Sequence, residues 1–313
     1  MPPNYNPNNT IAVIGAGPAG MSAAIYAKRS AVDVLLFERV MAGGQIMTTQ
    51  WIENYLGFPA GTTPSELVAK FQEHIASLGI DVTSENIKRV IPGDLQTVET
   101  ESGKKYKCKA VVVATGARPR FLGVPGEWQL HGKGVTTCAV CDGNFFRNQT
   151  VAVVGGGTTA VEDVIYLSKI VKKIYHIHRR DQLRLAGETS DELAKLKNVE
   201  RVFNHTVEEI LGEKEVTGIR VKNREDGSVR DIELSGVFVA VGIAPNSDFV
   251  KDLLETDEGG FIVTKKDMST SVEGVFAAGD VRVTDLRQVC TAVADGALAG
   301  LGATKRITGI DLA

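Results

Sequence analysis

Ile11-Ala-Val-Ile-Gly-Ala-Gly-Pro-Ala-Gly20 is the stretch of sequence that decides the fold. Its first four residues form an apolar run typical of a buried strand, and they lead directly into glycines spaced Gly15-x-Gly17-x-x-Gly20. The first glycine permits a tight turn, the second lets the backbone approach a pyrophosphate, and the third lets strand and helix pack closely. The stretch therefore predicts a strand, a turn and a helix whose N-terminus holds a phosphate.

A second apolar run follows the predicted helix, from Val32 to Phe37, and ends at Glu38. An acid at the end of the second strand of such a unit accepts hydrogen bonds from ribose hydroxyls. The order of strand, glycine turn, helix, strand and acid predicts a dinucleotide-binding βαβ unit. The alternative is a purely structural glycine turn.

The same pattern recurs in the middle of the chain. The run Val151–Val154 leads into Gly155-x-Gly157-x-x-Ala160, and a later strand, Ile174–Ile177, ends in His178-Arg179-Arg180 with Arg184 close behind. A carboxylate there would repel a 2′-phosphate, whereas guanidinium groups bind it through paired hydrogen bonds. The second unit is therefore predicted to bind NADP rather than NAD; the alternative is a solvent-exposed basic turn.

The later parts of the two halves also resemble each other. Val111–Pro119 and Val237–Pro245 each read as a buried strand that runs into a glycine turn. Such an internal repeat predicts an α/β fold with two Rossmann-like dinucleotide-binding domains. We expect the joins just after Pro119 and near Asn246, so that residues 120–246 form a domain inserted between the two parts of the other, 1–119 and 247–313.

A third motif is Cys138-Ala-Val-Cys141-Asp142. Two thiols at this spacing can close a small disulfide ring at a helix start, where the helix dipole favours the thiolate. A C-x-x-C can also be half of a zinc site, but neither the other two cysteines nor the five histidines offer a convincing second ligand pair. Asp142 can exchange protons as the disulfide opens; its alternative role is that of a turn or cap residue.

The last motif is Gly274-Val-Phe-Ala-Ala-Gly-Asp280. An apolar strand that stops at Gly-Asp lets an aspartate meet a polyol chain, and the next helix N-terminus can face a cofactor ring or phosphate. That helix, rich in alanine and glycine, is predicted from Thr291 to about Thr304. Cys290 is predicted to be a buried structural thiol because its neighbours are apolar. Cys108 lies in a lysine-rich strand and has no predicted function.

Composition excludes several classes of function. The chain has 313 residues, 43% of them apolar, which is enough for about two domains. A net charge of −3 argues against a nucleic-acid binder. No apolar run approaches the roughly 20 residues of a membrane span, and the polar start, Met1 to Thr10, does not read as a secretory signal. We therefore expect a cytoplasmic protein, without a membrane or nucleic-acid partner and without a metal.

Together these motifs resemble those of the low-molecular-weight thioredoxin reductases, over nearly the whole chain. The matching stretches are Gly15–Gly20, Gly43-Gly-Gln45, Ile52–Pro59, Ala114-Thr-Gly116, Cys138–Gly143, His178-Arg-Arg180, Gly274–Asp280 and Arg287-Gln288. Several such motifs in the family's order make a chance match implausible.

The resemblance implies FAD in the domain built from both chain ends and NADPH in the inserted domain. The implied FAD contacts are Gly15, Gly17, Ala19, Glu38, Gly44, Gln45, Asn54, Ala114, Gly279, Asp280, Arg287, Gln288 and Val289. The implied NADPH contacts are Gly155, Gly157, Thr158, Thr159, His178, Arg179, Arg180 and Arg184. Thr158 and Thr159 stand where the family commonly has an acid and a serine, and residues 185–189 also depart from the usual continuation.

The resemblance also implies the roles of the dithiol. Cys141 would be the sulfur on the flavin side, Cys138 the thiol that attacks the disulfide of thioredoxin or a thioredoxin-like protein, and Asp142 the acid. It further implies a homodimer, with hinges near Pro119 and Asn246. The alternatives are a reduced ferredoxin or deazaflavin as electron donor, service to a peroxidase system, and a non-catalytic flavin- or NADP-binding sensor.

Overall fold

The computed structural model describes residues 5–48, 52–59, 61–183, 193 and 195–310. By their contacts the residues fall into two units. One unit combines the two ends of the chain, up to Arg118 and from Ala244; the other spans Pro119–Ile243 and includes Thr49–Asn54. The predicted NADPH contact Arg184 and the unusual stretch 185–189 lie outside the described residues.

Strands and helices alternate along much of the described chain. In chain order the strands are β1 (Thr10–Ile14), β2 (Asp33–Glu38), β3 (Val82–Ser84), β4 (Ile87–Ile91), β5 (Gln96–Thr100), β6 (Lys105–Cys108), β7 (Ala110–Val113), β8 (Ala117–Pro119), β9 (Val135–Thr136), β10 (Thr150–Val154), β11 (Lys173–His178), β12 (Val199–Phe203), β13 (His205–Leu211), β14 (Gly218–Asn223), β15 (Val229–Glu233), β16 (Gly236–Val239), β17 (Ile243–Pro245) and β18 (Val275–Ala277). The described helices are α1 (Pro18–Arg29), α2 (Pro64–Ser77), α3 (Ala139–Asp142), α4 (Thr158–Ser168) and α5 (Val289–Thr308).

The first unit is built on a parallel sheet with strand order β18-β7-β1-β2-β3. Every residue of β1 is buried, which is the expected state of an apolar strand in a sheet covered on both faces. Helices α1 and α5 pack on this sheet and touch each other closely. The absence of a side chain on Gly296 permits this contact, since a Cβ there would lie 2.1 Å from the Ala19 carbonyl oxygen. An antiparallel sheet, β4-β5-β6, completes the unit.

The second unit repeats this plan. Its parallel sheet has the order β12-β11-β10-β16-β9, and a three-stranded antiparallel sheet, β13-β14-β15, completes the unit. The prediction of an α/β fold with two Rossmann-like units is confirmed. The two segments that connect the units, β8 and β17, pair with each other as a two-stranded sheet.

The prediction for Cys290 is wrong. The thiol is exposed, because the buried face of α5 is formed by Ala292, Gly296 and Ala299, and Cys290 lies two residues before that face begins. Two residues correspond to more than half a helical turn, which directs the Cys290 side chain to the opposite side of the helix. Helix α5 is also longer than predicted, from Val289 to Thr308.

Cys108 is buried in β6, and burial raises the pKa of its thiol to about 12.

Candidate active site

The first glycine turn joins β1 to α1. Gly15 has φ +106°, and a Cβ there would lie 2.4 Å from the Ala114 carbonyl oxygen. A Cβ on Gly20 would lie 1.8 Å from the Gly15 carbonyl oxygen. Gly17, the N-cap of α1, has an ordinary φ of −81°, and a Cβ there would meet nothing within 4 Å. Packing therefore requires the outer two glycines, whereas the middle one borders open space at a helix N-terminus, where a phosphate can approach.

Glu38 ends β2 at the same edge of the sheet. Its carboxylate accepts hydrogen bonds from the backbone N–H groups of Ala16 at 3.0 Å, Arg39 at 2.9 Å and Val40 at 3.1 Å. A cleft of about 110 Å³ lies against Gly15 and Glu38. Because a carboxylate offers about four lone-pair sites, it retains the capacity to accept from a ribose hydroxyl.

Two other predicted FAD contacts, Gly44 and Ala114, lie at this turn. A Cβ on Gly44 would lie 3.5 Å from the Gly17 Cα, and the Ala114 N–H donates to the Ile14 carbonyl oxygen at 2.8 Å. Gln45 follows Gly44 and is exposed. Asn54 is also exposed and groups by contacts with the second unit, so its assignment to FAD stays a prediction.

The segment after β18 reaches the same edge. Gly279 has φ +73°, and a Cβ there would lie 2.9 Å from the Cβ of Ala19. Its N–H donates to Asp295 Oδ2 at 3.1 Å, and Arg282 holds Asp295 through two hydrogen bonds of 2.6 and 2.8 Å. Burial raises the pKa of Asp280 to about 6, although the nearby Arg287 lowers it. Gly279 and Asp280 are predicted from the sequence, whereas the Arg282–Asp295 pair is not.

The predicted contacts Arg287, Gln288 and Val289 lead into α5. The Arg287 guanidinium lies over the ring of Phe261 at 4.3 Å, and burial lowers its pKa. Its Nε is buried and has no hydrogen-bond partner within the described part of the chain. The Gln288 N–H donates to Thr291 Oγ1 at 3.1 Å, and Val289 is the first residue of the helix. A buried donor without a partner, close to Asp280, fits a bound polar cofactor such as FAD.

The second glycine turn has the same construction. A Cβ on Gly155 would lie 2.2 Å from the Ala240 carbonyl oxygen, whereas a Cβ on Gly157, the N-cap of α4, would meet nothing within 4 Å. Thr158 and Thr159 are the first two residues of α4 and are exposed. The turn therefore offers backbone N–H groups and two hydroxyls to an anionic ligand.

The basic run at the end of β11 is divided between core and surface. A Cβ on Gly156 would lie 2.1 Å from the ring of His178, which is buried against the glycine turn and against Phe203. Arg179 and Arg180 are exposed. Their carbonyl oxygens accept hydrogen bonds, from Arg224 Nη1 at 2.9 Å and from the Asn204 N–H at 3.1 Å. The backbone is thus fixed while both guanidinium groups face solvent, as a 2′-phosphate site needs.

Cys138 and Cys141 are joined by a disulfide, with their Cα atoms 5.3 Å apart. Cys138 precedes the single turn α3, and its Sγ accepts a hydrogen bond from the Cys141 N–H at 3.2 Å. The Asp142 N–H donates to the Cys138 carbonyl oxygen at 3.1 Å. The disulfide ring predicted from the sequence is therefore present, at the start of a helix of one turn.

Asp142 is held by a residue that the sequence analysis missed. The Thr136 hydroxyl donates a short hydrogen bond to Asp142 Oδ2 and accepts one from the Cys138 N–H at 3.2 Å. His131 is a further neighbour: the Asp142 charge raises the pKa of His131, but burial has the larger effect and lowers it. The sequence contains one indication that Thr136 belongs to the site: it is a hydroxyl residue two positions before the first cysteine, at the end of a short strand.

Within the part of the chain that the structure describes, no helix is long and apolar enough to cross a bilayer. Nor does this part of the chain bring together three or more histidine, cysteine or acidic side chains as a metal site would.

Known proteins share both this architecture and these motifs. The family of pyridine nucleotide-disulphide oxidoreductases matches residues 9–296. A thioredoxin reductase of Listeria innocua is 44% identical over 298 residues, which cover 95% of this chain and 93% of that protein. The bifunctional thioredoxin reductase/thioredoxin of Mycobacterium leprae is 38% identical and covers 94% of this chain, which spans 65% of that protein. The crystal structure of thioredoxin reductase from Streptococcus pyogenes superimposes with a TM-score of 0.91 at 42% identity, covering 97% of this chain and all of that one.

Proposed function

Because the chain belongs to the pyridine nucleotide-disulphide oxidoreductase family, and within it to the thioredoxin reductases, we propose that it reduces the disulfide of thioredoxin or a thioredoxin-like protein with electrons from NADPH. The electrons pass through FAD and then through the Cys138–Cys141 pair. The single observation that carries this proposal is the disulfide itself, which lies beside a carboxylic acid in the unit that also contains the second nucleotide turn.

The first unit holds FAD. The open space beside Gly17, the cleft at Glu38 and the unpaired Nε of Arg287 lie on elements that meet at one edge of the sheet. Asp280 receives hydroxyl groups, and Glu38 the ribose. When bound there, FAD would supply the two-electron chemistry that links NADPH to the disulfide.

The second unit holds NADPH. The N-terminus of α4 receives the pyrophosphate at Gly157, Thr158 and Thr159, and Arg179 with Arg180 binds the 2′-phosphate. Two exposed guanidinium groups on a fixed backbone suit a phosphate dianion. His178 supports the turn by packing on Gly156 and keeps the strand end in place. The assignment of Arg184 remains a prediction.

The dithiol performs the exchange with the partner protein. The Cys138 thiolate attacks one sulfur of the partner's disulfide, which forms a mixed disulfide and releases one partner thiolate. The Cys141 thiolate then attacks Cys138 Sγ, which restores the Cys138–Cys141 bond and releases the reduced partner. Asp142 supplies a proton to a departing thiolate. The dithiol must be poised near the thioredoxin potential of about −270 mV for this exchange to run efficiently.

The cellular setting and the assembly are part of the proposal. The enzyme works in the cytoplasm, where C-x-x-C pairs are generally catalytic rather than structural. It acts as a homodimer, as the resemblance to the thioredoxin reductases implies. A ferredoxin or deazaflavin donor and a peroxidase system are not favoured, because the similar proteins described above are named as thioredoxin reductases.

A steady-state assay with NADPH and oxidised thioredoxin tests the proposal. The native protein should consume NADPH, and Cys138→Ser should keep its flavin but lose at least a hundredfold in turnover, because no thiol is left to attack the partner. Direct reduction of a dye by the flavin should persist in this variant. Full turnover of Cys138→Ser with thioredoxin would overturn the assignment of the dithiol.

Anaerobic titration with NADPH, NADH and reduced ferredoxin identifies the electron donor. Bleaching of the flavin by ferredoxin alone would overturn the role of Arg179 and Arg180.

A further inference from the structure

We propose that Thr136 is a positioning residue for the proton transfer that accompanies opening of the Cys138–Cys141 disulfide. This inference rests on the proposed function, in which Asp142 is the acid. It assigns to Thr136 both the orientation of that acid and the choice of the carboxylate oxygen that carries the proton.

The Thr136 hydroxyl has a fixed hydrogen-bond direction. The Cys138 backbone N–H can only donate, so the hydroxyl oxygen accepts from it, at 3.2 Å. A hydroxyl has a single proton, and the geometry directs it to Asp142 Oδ2. The side chain therefore joins the backbone of the first cysteine to the carboxylate of the acid.

Strand pairing holds Thr136 in this position. Thr136 is 7% exposed and is the last residue of β9, where it is the register partner of Phe238 in β16. β16 in turn pairs with β10, the central strand that leads into the second glycine turn. A residue tied to the middle of the sheet in this way can fix the orientation of a side chain on the short turn α3.

The chemical consequence concerns the proton on Asp142. When two electrons enter the disulfide, the sulfur–sulfur bond breaks into two thiolates, and Asp142 gives one of them a proton and becomes a carboxylate. Because Oδ2 already accepts from Thr136, the transferable proton is carried by Oδ1. After transfer, the Thr136 donor stabilises the carboxylate that has formed, since a hydrogen bond to the charged form favours that form.

Thr136→Val removes the hydroxyl at nearly constant volume and provides the test. With NADPH and thioredoxin, we expect turnover to fall about tenfold at neutral pH, and the alkaline fall of the rate to move upward by about one pH unit, because the carboxylate has lost a donor. Bleaching of the flavin by NADPH and the flavin content should not change. Thr136→Ser should recover most of the activity and the native pH profile.

A cycle with Asp142→Asn separates positioning from a structural effect. If Thr136 acts through Asp142, adding Thr136→Val to Asp142→Asn should reduce turnover less than about twofold further, because coupled residues are not additive. Thr137→Val is the matched control, since the Thr137 hydroxyl makes no hydrogen bond to any part of the chain that the structure describes.

Several results would overturn the inference. A native pH profile in Thr136→Val, or losses that multiply in the double variant, would show that Thr136 is not a positioning residue. If Thr136→Val loses its flavin, Thr136→Ala, which adds no bulk, takes its place in the same cycle. Failure of the native protein to reduce thioredoxin with NADPH would instead overturn the proposed function.

Discussion

His176 Nε2 lies 3.0 Å from the Gly155 carbonyl oxygen, at the turn that begins the second nucleotide site. Because a carbonyl only accepts, this nitrogen carries the proton of a neutral imidazole. The other nitrogen, Nδ1, is buried and has no hydrogen-bond partner in the described part of the chain. The ring also packs edge-on against Phe203. A second proton would have no acceptor there, and burial lowers the pKa of His176 to about 4.

The stability of the protein should therefore depend on His176 between about pH 6.5 and pH 4. In this window the unfolded chain binds a proton at His176 and the folded chain does not, so the contribution is complete above pH 6.5 and is lost as the pH falls towards 4. The loss should be about 3 kcal/mol. Urea unfolding at several pH values should show a shallower acid loss in His176→Gln than in the native protein. Parallel curves would contradict the expectation.

The second and third glycines of the first turn, Gly17 and Gly20, should respond differently to alanine. Gly20→Ala places a Cβ 1.8 Å from a carbonyl oxygen and should destabilise the fold by about 3 kcal/mol. Gly17→Ala meets only open space and has an allowed φ, so its stability should stay within about 0.5 kcal/mol of the native value. Its affinity for FAD should nevertheless fall at least tenfold, because the added methyl group occupies the approach of the pyrophosphate.

Urea unfolding and FAD titration of the two apoproteins measure both effects. The matched control is Gly157→Ala at the second glycine turn, which is also a helix N-cap with an ordinary φ (−93°) and open space at its Cβ position, and which should leave FAD affinity unchanged. Native affinity for FAD in Gly17→Ala would exclude this turn as the pyrophosphate site.

Arg179 and Arg180 should determine the preference for NADPH. Replacing both with Gln should raise KM for NADPH by roughly ten- to a hundredfold and leave KM for NADH nearly unchanged, because only the first nucleotide carries the 2′-phosphate. Arg230→Gln, on β15, is the control for the removal of an exposed arginine elsewhere in the chain. Equal effects on the two nucleotides would show that the arginines do not read the 2′-phosphate.

Much of the fold follows from local sequence patterns. The run Ile11–Ile14 ahead of spaced glycines is sufficient to predict β1, the turn and α1, because each is encoded by neighbouring residues. Thr136 and His176 could not be predicted as site residues in this way. The role of Thr136 depends on the pairing of a two-residue strand with β16, about a hundred positions later, and no periodicity is visible in two residues.

The error at Cys290 has a similar origin. Its neighbours in sequence are apolar, but burial in α5 depends on which helical face meets α1, and that face is set by Gly296 and Gly300. The Arg282–Asp295 pair is also invisible in sequence, because the carboxylate projects from α5 and the guanidinium from the segment after β18. Motifs that are contiguous are therefore readable from sequence, whereas side chains that support them from distant elements require the fold.

The Arg282–Asp295 pair should contribute more to stability than a comparable pair at the surface. Arg282 binds Asp295 through two hydrogen bonds, and the two side chains are 17% and 10% exposed. Arg220 binds Asp231 through two hydrogen bonds as well, of 2.8 and 2.9 Å, but these side chains are 39% and 49% exposed. The paired geometry is alike, the burial differs, and Arg220 also binds Glu209, so the second pair serves as an exposed comparison for the first.

We expect Asp295→Asn to destabilise the protein by about 3 kcal/mol, because it leaves a buried guanidinium without its counter-charge. Asp231→Asn should cost less than about 1 kcal/mol, since solvent screens an exposed pair. Asp295→Asn should also weaken FAD binding, because Asp295 accepts the N–H of Gly279 and thereby holds the turn that precedes Asp280. Urea unfolding of the two variants tests the first expectation, and equal losses of stability would mean that burial does not strengthen this pair. FAD titration tests the second. Native FAD affinity in Asp295→Asn would mean that the Gly279 turn does not depend on Asp295.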